Sequence, residues 1–260
     1  MTLARWLAGP APRTRPRAGE WDRGAHGLCG QSMTEWARGL ALAAFHDGVT
    51  VVCELAALFP DDGWAAPTPC PEWRAGDLAG HLRCVADDLN EYLDDAPASR
   101  LARLMATAAD PARLARKLAR QNAAELAALA EGRGPEHIAA FAASARAYAR
   151  RIPGVWDLPH HRYRDTVVTV GDMAGAACVE WHLHAWDLAR ALGKDYCPAS
   201  PDVLAAGWRA GLPHLPLGRP AAMAACGAAP ASGSVVAGGG AWPSGNAAWR
   251  MLLRASGRLA

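Results

Sequence analysis

The stretch Cys178-Val-Glu-Trp-His-Leu-His-Ala-Trp-Asp-Leu-Ala-Arg190 decides how the rest of the chain is read. Glu180 and His184 are four residues apart, which on a helix of about 3.6 residues per turn places both side chains on one face, one turn apart. Two donors aimed at one point are the beginning of a metal site. Asp187, three residues further on, falls on the same face. There it can orient an imidazole N–H or a bound water, or pair on the surface with Arg190 or Arg83. His182 points about 200° away from this face and is read as packing. Trp181, Leu183 and Trp186 read as core contacts around it. Gly193 supplies the stop for this helix and Asp172 its N-cap.

A metal needs a further partner, and the best placed is His81 in Thr68-Pro-Cys-Pro-Glu-Trp-Arg-Ala-Gly-Asp-Leu-Ala-Gly-His-Leu82, where a proline-rich loop runs into a helix. Apolar residues at Leu78, Leu82, Val85, Leu89 and Leu93 mark the seam of that helix, with His81 at its margin. His81, Glu180 and His184 make a His2Glu set with one coordination position left over, the pattern of a catalytic rather than a structural zinc site. His160 and His161, adjacent in a loop, are candidate fourth ligands. Cys84, one turn after His81, is the first thiol to consider as an internal nucleophile, against the reading of a small buried packing residue.

The rest of the chain reads as scaffold. Leu40, Ala44, Val51, Leu55 and Leu58 suggest a helix between Thr34 and Phe59. Pro67, Pro69 and Pro71 break it from the His81 helix. Leu114, Leu118, Leu126 and Leu129 mark another helix, and Ile138, Phe141, Ala145 and Tyr148 a further one that ends in Arg150-Arg151. Thr166–Val170 is β-branched and suits one extended segment. Residues 1–32 lack a continuous apolar core and read as a disordered extension rather than a cleaved leader. Residues 33–193 read as one helical domain. Residues 194–260 read as a loosely built appendage with short helices at Asp202–Ala210 and Ala247–Ala255, and Gly238-Gly239-Gly240 lacks the Lys-Ser/Thr of a phosphate loop.

With 260 residues and 51% hydrophobic content the chain can bury a full core. A net charge of +2 from 27 basic and 25 acidic residues, spread along the chain, gives no basic stripe for nucleic acid. Seven cysteines, an odd number without a CxxC pair, suit a reducing compartment and a cytoplasmic protein. No window holds the roughly 18 uninterrupted apolar residues of a membrane span. A small-molecule partner is expected.

The residues 68–82 and 180–193 (Glu-Trp-His-Leu-His-Ala-Trp-Asp-Leu-Ala-Arg-Ala-Leu-Gly) together resemble the two signatures of the mycothiol-dependent maleylpyruvate isomerase family, in the DinB-like superfamily of metal-binding helical proteins. Asn246-Ala-Ala-Trp-Arg-Met-Leu-Leu-Arg-Ala-Ser-Gly-Arg258 resembles the Trp-Arg-x-Leu-Leu-x-x-x-Gly-Arg ending common among related proteins. The resemblance implies an all-α fold, an antiparallel four-helix bundle carrying a short Ala/Gly/Pro-rich C-terminal appendage. It also implies a divalent metal, usually zinc, on His81, Glu180 and His184, with mycothiol as cosubstrate. In the isomerase reaction a metal-activated thiolate adds to a conjugated cis double bond, permits rotation and leaves; in transferase relatives it keeps the electrophile. Two departures bear on this. Arg74 stands after Trp73 where the family places a threonine-like cap, and residues 194–260 do not match the second, mixed α/β domain of the isomerase or its substrate-binding arginine. Maleylpyruvate is therefore not carried over as substrate.

Two function classes follow. One is a thiol-dependent isomerase or S-transferase acting on a small electrophile. The other is a non-catalytic metal-binding or thiol- and metal-sensing module, favoured by the lack of a separate general base in the sequence motifs.

Overall fold

The computed structural model describes residues 35–70, 73–94, 111–129, 133–163, 166–212 and 245–259. The expected extension at residues 1–32 and the Gly238–Gly240 run lie outside them. The described chain is mostly helical: α1 is Glu35–Ala56, α2 Ala75–Asp94, α3 Pro111–Ala128 and α4 Gly134–Arg151. A hairpin of β1 (Pro159–Tyr163) and β2 (Thr166–Thr169) then leads into α5 (Val170–Ala191), followed by α6 (Pro201–Gly211) and α7 (Asn246–Ala255). The two strands pair antiparallel, Arg162 against Val167 and Tyr163 against Thr166. The extended stretch expected at Thr166–Val170 is thus one arm of a hairpin, the only sheet among the described residues.

Helix α5 is central: α1 lies along one side of it and α6 along another, α4 packs on both α1 and α2, and α3 rests on α2. Small residues set these distances. A Cβ added to Gly48 of α1 would lie 2.9 Å from Trp181 Cβ of α5, and one added to Gly175 of α5 would lie 2.9 Å from Gly207 Cα of α6. At the second crossing the helices meet backbone to backbone, and at the first Gly48 lies against the Trp181 Cβ and the His182 ring, so at both even one methyl group would have to displace its neighbour.

Of the apolar seam expected on α1, Ala44 is buried and Val51 and Leu55 pack against the core from its margin, so the seam is right in its middle and wrong at its ends. The buried face is Ala41, Ala44, Phe45, Gly48, Val49, Val52 and Ala56, while Leu40 and Leu58 are exposed. The face mixes Phe45, Val49 and Val52 with the small residues Ala41, Ala44, Gly48 and Ala56, which lets α5 come close. The same helix contains a 19-residue stretch, Arg38–Ala56, long and apolar enough by length and composition to cross a membrane. In the fold its Phe45–Val49–Val52 face is core, with the Phe45 ring edge-on to Trp181 at 5.9 Å. On α4, by contrast, Ile138, Phe141, Ala145 and Tyr148 are all buried at the expected spacing.

The part of residues 194–260 that is described is tightly packed, not loose. Leu204, Trp208, Trp249, Leu252 and Leu253 all belong to the main core. Alanine and glycine do not loosen this part of the chain: at the α5–α6 crossing they are what lets the helices touch.

Candidate metal centre

The two ends of the candidate site are set by local capping. The N-cap of α5 is Thr169, not Asp172. Thr169 Oγ1 accepts the Asp172 backbone N–H at 3.1 Å, and Asp172 Oδ2 accepts the Thr169 backbone N–H at 2.8 Å. This reciprocal pair is a capping box, with Asp172 at its third helical position. At the other end Gly193, with φ of 68°, takes the left-handed turn that lets Lys194 N–H reach Ala189 O at 2.8 Å.

Helix α2 begins where Asp77 Oδ2 accepts the Arg74 backbone N–H at 2.9 Å, the half of a capping box that the third helical residue supplies, and Arg74 has no hydroxyl to supply the half that a threonine would. The preceding loop is held by Thr68, whose hydroxyl donates to Trp73 O at 2.8 Å and accepts from Cys70 N–H at 3.1 Å. These bonds fix Trp73, whose indole lies 4.5 Å from the His81 imidazole and 6.2 Å from that of His184. An apolar wall thereby covers one side of both rings.

Between these elements His81, Glu180 and His184 converge, with one donor atom from each lying within 4.8 Å of the others. Glu180 Oε1 stands 3.1 Å from His81 Nε2 and 3.0 Å from His184 Nε2. All three are at most 2% exposed. Asp187, fully buried, lies with Oδ2 2.9 Å from His184 Nδ1, so the carboxylate accepts that N–H and turns Nε2 toward Glu180. Arg190 and Arg83, the surface alternatives for Asp187, pair instead with Asp195 and Asp87.

Arg258 completes the constellation. Its Nη2 donates to Asp187 Oδ2 at 2.5 Å and its Nε to Asp187 Oδ1 at 2.9 Å, with the side chain 1% exposed. Cys70 Sγ donates to the same Oδ2 at 3.4 Å. The motif readings did not single out either residue as part of the site. Both lie inside quoted motifs, which is the signal that was available.

Charge placement follows from these distances. Burial alone would lower the pKa of His184, but the Glu180 and Asp187 carboxylates outweigh it and push it up to about 10. His81 has no second carboxylate, and burial lowers its pKa despite the Glu180 hydrogen bond. Burial opposes ionisation of Glu180, yet the two histidines hold its carboxyl well below the usual range; Arg258 and His184 do the same for Asp187.

The donor set fits a cation on an independent ground. Glu180 Oε2 is buried and accepts no hydrogen bond among the described residues. An orphaned carboxylate oxygen deep in a protein is costly, and a metal ion on this residue removes the cost. Two Nε2 donors and a carboxylate suit zinc and its borderline-soft neighbours more than calcium or magnesium.

The remaining candidates lie elsewhere. His160 stacks on Tyr92 at 3.7 Å, and its Nδ1 is 2.9 Å from His161 Nδ1. Tyr92 is eleven residues beyond His81 on α2, about 16 Å along the axis, and neither histidine joins a donor group among the described residues. Burial pushes their pKa values down to about 3 and about 4, so both are neutral. Cys84 is buried and also joins no donor group. His182 faces away, bonded through Nε2 to Ala44 O at 2.9 Å and through Nδ1 to the Tyr196 hydroxyl. A cavity of about 550 Å³ between α2, α3 and α4, bordered by Trp64, Arg74, Leu126 and His137, is lined by none of the three donors.

Residues 45–189, more than half of the chain, match the family model of the mycothiol maleylpyruvate isomerase N-terminal domain. No curated protein and no solved structure is matched.

Proposed function

Because the chain belongs to the family of the mycothiol maleylpyruvate isomerase N-terminal domain, we propose that His81, Glu180 and His184 hold a divalent metal, zinc, and that the protein is a mycothiol-dependent isomerase or S-transferase acting on a small electrophile. The observation that carries this reading is the convergence of three buried donors, one of them a carboxylate whose second oxygen has no hydrogen-bond partner among the described residues. The pairwise packing of α1 on α5, α4 on α1 and α2 on α4 supports an antiparallel four-helix arrangement, the kind of scaffold whose core hosts such sites.

Bound zinc would supply one thing, a lowered pKa for a thiol entering the open coordination position, giving a thiolate near neutral pH. The protein's own residues do the rest. Asp187 holds the His184 Nδ1–H, which fixes the tautomer and leaves the Nε2 lone pair for the metal. Trp73 covers the imidazoles and keeps water from that side. Glu180 would itself be a metal ligand and Asp187 is clamped by Arg258, so neither carboxylate would take the thiol's proton, which would pass to solvent. A reducing, cytoplasmic setting is part of this proposal, because a low-molecular-weight thiol must remain reduced there.

A second reading, a non-catalytic metal-binding or thiol-sensing module, draws on the near-complete burial of the donors and on the separate position of the cavity. Calorimetry of the zinc-loaded protein with mycothiol, in buffers of different ionisation enthalpy, separates the two. Release of about one proton per metal on thiol binding is expected for the enzyme, followed by turnover with an electrophile panel. Tight zinc binding with no heat from thiols would leave the module reading in its place.

A further inference from the structure

His184 belongs to two donor groups. Nε2 faces His81 and Glu180; Nδ1 faces Asp187, which with Cys70 forms a second set whose donor atoms also lie within 4.8 Å of one another. A thiol, an imidazole and a carboxylate are good zinc ligands too. Nothing in the spacing of α5 says which of the two places a metal should take.

We propose that Arg258 is a positioning residue: its guanidinium fills the cation position framed by Cys70, Asp187 and His184 Nδ1, and so commits His184 to offer Nε2 to a metal beside His81 and Glu180. This rests on the metal-binding reading given above. The geometry supports it in three ways. Arg258 takes both Asp187 oxygens in a two-point clamp, at 2.9 and 2.5 Å, which leaves no carboxylate edge for a second cation. Its Nη2 stands 3.4 Å from His184 Nδ1, so a positive charge already occupies the approach to that nitrogen. The chain is also built to deliver it. After α7 ends at Ala255, Gly257 takes a left-handed φ of 72° and Arg258 N–H bonds to Leu253 O at 2.7 Å, reversing the backbone at the site.

A structural ion pair alone would stabilise the fold without affecting where a metal sits. Cobalt(II) distinguishes the two, because thiolate ligation gives an intense near-ultraviolet charge-transfer band that nitrogen and oxygen ligands do not. The test uses the full chain as wild type, Arg258→Ala, Arg258→Ala/Cys70→Ser and Arg258→Lys, with circular dichroism as a check on folding. The wild type is expected to bind cobalt without the thiolate band. Arg258→Ala is expected to show the band, with the Cys70 thiol proton lost to buffer, and to bind zinc at the His81–Glu180 side about 10- to 100-fold more weakly. The band should vanish in the double variant, and free guanidinium should suppress it in Arg258→Ala. Should Arg258→Ala fail to fold, Arg258→Lys carries the test: an ammonium cannot clamp both oxygens, and a weaker, Cys70-dependent band is expected.

A wild-type spectrum and affinity in the folded Arg258 variants would overturn the proposal. So would a Cys70-dependent band in the wild type, although metal binding itself would then stand. If the wild type binds no metal but Arg258→Ala does through Cys70, the His81–Glu180–His184 reading fails and the role of Arg258 survives. If neither binds, both fail.

Discussion

His182 and His184 stand two residues apart on α5, equally buried at 1% exposure, and face opposite sides of one helix. On the α1 side, His182 meets a backbone carbonyl and a tyrosine hydroxyl, and burial lowers its pKa. On the other side, His184 meets two carboxylates, and its pKa rises to about 10. Burial does not separate a packing histidine from a candidate metal donor. The charge of the partners does, because a carboxylate pair makes a place for positive charge that neutral partners do not.

The largest effect should come from exchanging these two residues for alanine. His184→Ala is expected to lose most bound zinc, read by elemental analysis of the purified protein, while retaining its helical circular dichroism. His182→Ala should keep stoichiometric zinc and instead lose about 1–3 kcal/mol of stability, since Ala44 O and the Tyr196 hydroxyl lose their partner inside the protein. Full zinc in His184→Ala, or its loss in His182→Ala, would erase the distinction drawn between the two faces.

The pH dependence of the metal-free protein should divide along the same line. Folding raises the His184 pKa from 6.5 to about 10. That contribution to stability is complete below the unfolded value and is lost as pH rises through about 10. Folding lowers the His182 and His81 pKa values, so their contribution is present above 6.5 and is lost as pH falls below it. Glu180 and Asp187, depressed from 4.5 and 3.8, add a further loss as pH falls through and below those values. The Glu180 and His184 shifts describe one ion pair and count once. Denaturant midpoints measured across pH should therefore show a shallower alkaline decline in His184→Ala and a shallower decline just below pH 6.5 in His182→Ala. Zinc reverses the alkaline trend, because the metal displaces a proton from His184 and binds more tightly as pH rises toward that pKa.

How legible all this was depended on sequence distance. Glu180, His184 and Asp187 lie within two turns of one helix, and local periodicity alone put them on one face. His81 needed a second motif. Arg258 lies 71 residues beyond Asp187, and no local rule connects an arginine after a short C-terminal helix to a carboxylate in the centre of the fold. Cys70 was hidden similarly, inside a proline-rich loop whose course depends on Thr68 hydrogen bonds. The α5 N-cap was legible but misread: Thr169-Val-Gly-Asp172 has the threonine and acidic residue at capping-box spacing, and only the aspartate was weighed.

Gly48 offers a narrower test on the packing side of α5. A methyl group there would stand 2.9 Å from Trp181 Cβ and 3.1 Å from His182 Cδ2 and Nε2. Gly48→Ala must push α1 away from α5 and should cost about 1–3 kcal/mol, at the level of overpacked cores. Its zinc content should be that of the wild type, because the strain falls on the His182 face. Zinc loss equal to that of His184→Ala would mean that the two faces of α5 are mechanically one.

The smallest effect is expected at the start of the same helix. Thr169→Ala removes the hydroxyl that accepts the Asp172 N–H at 3.1 Å but leaves the Asp172 carboxylate bonded to the Thr169 backbone N–H at 2.8 Å, so half of the capping box survives. A lost N-cap typically costs about 0.5–2 kcal/mol, and the retained half places this variant near the lower end. Glu180 lies eleven residues further on, about three turns away. The intervening helix is buried between Ala174 and Val179, with Gly175 backbone to backbone against Gly207, which leaves fraying at the first turn little room to propagate. Thermal melts should show a small shift, and competition titrations should give an unchanged zinc affinity. A drop in affinity comparable to removing a residue that hydrogen-bonds a ligand, about 10-fold or more, would show that the donors depend on the helix as a whole rather than on the side chains gathered around His184.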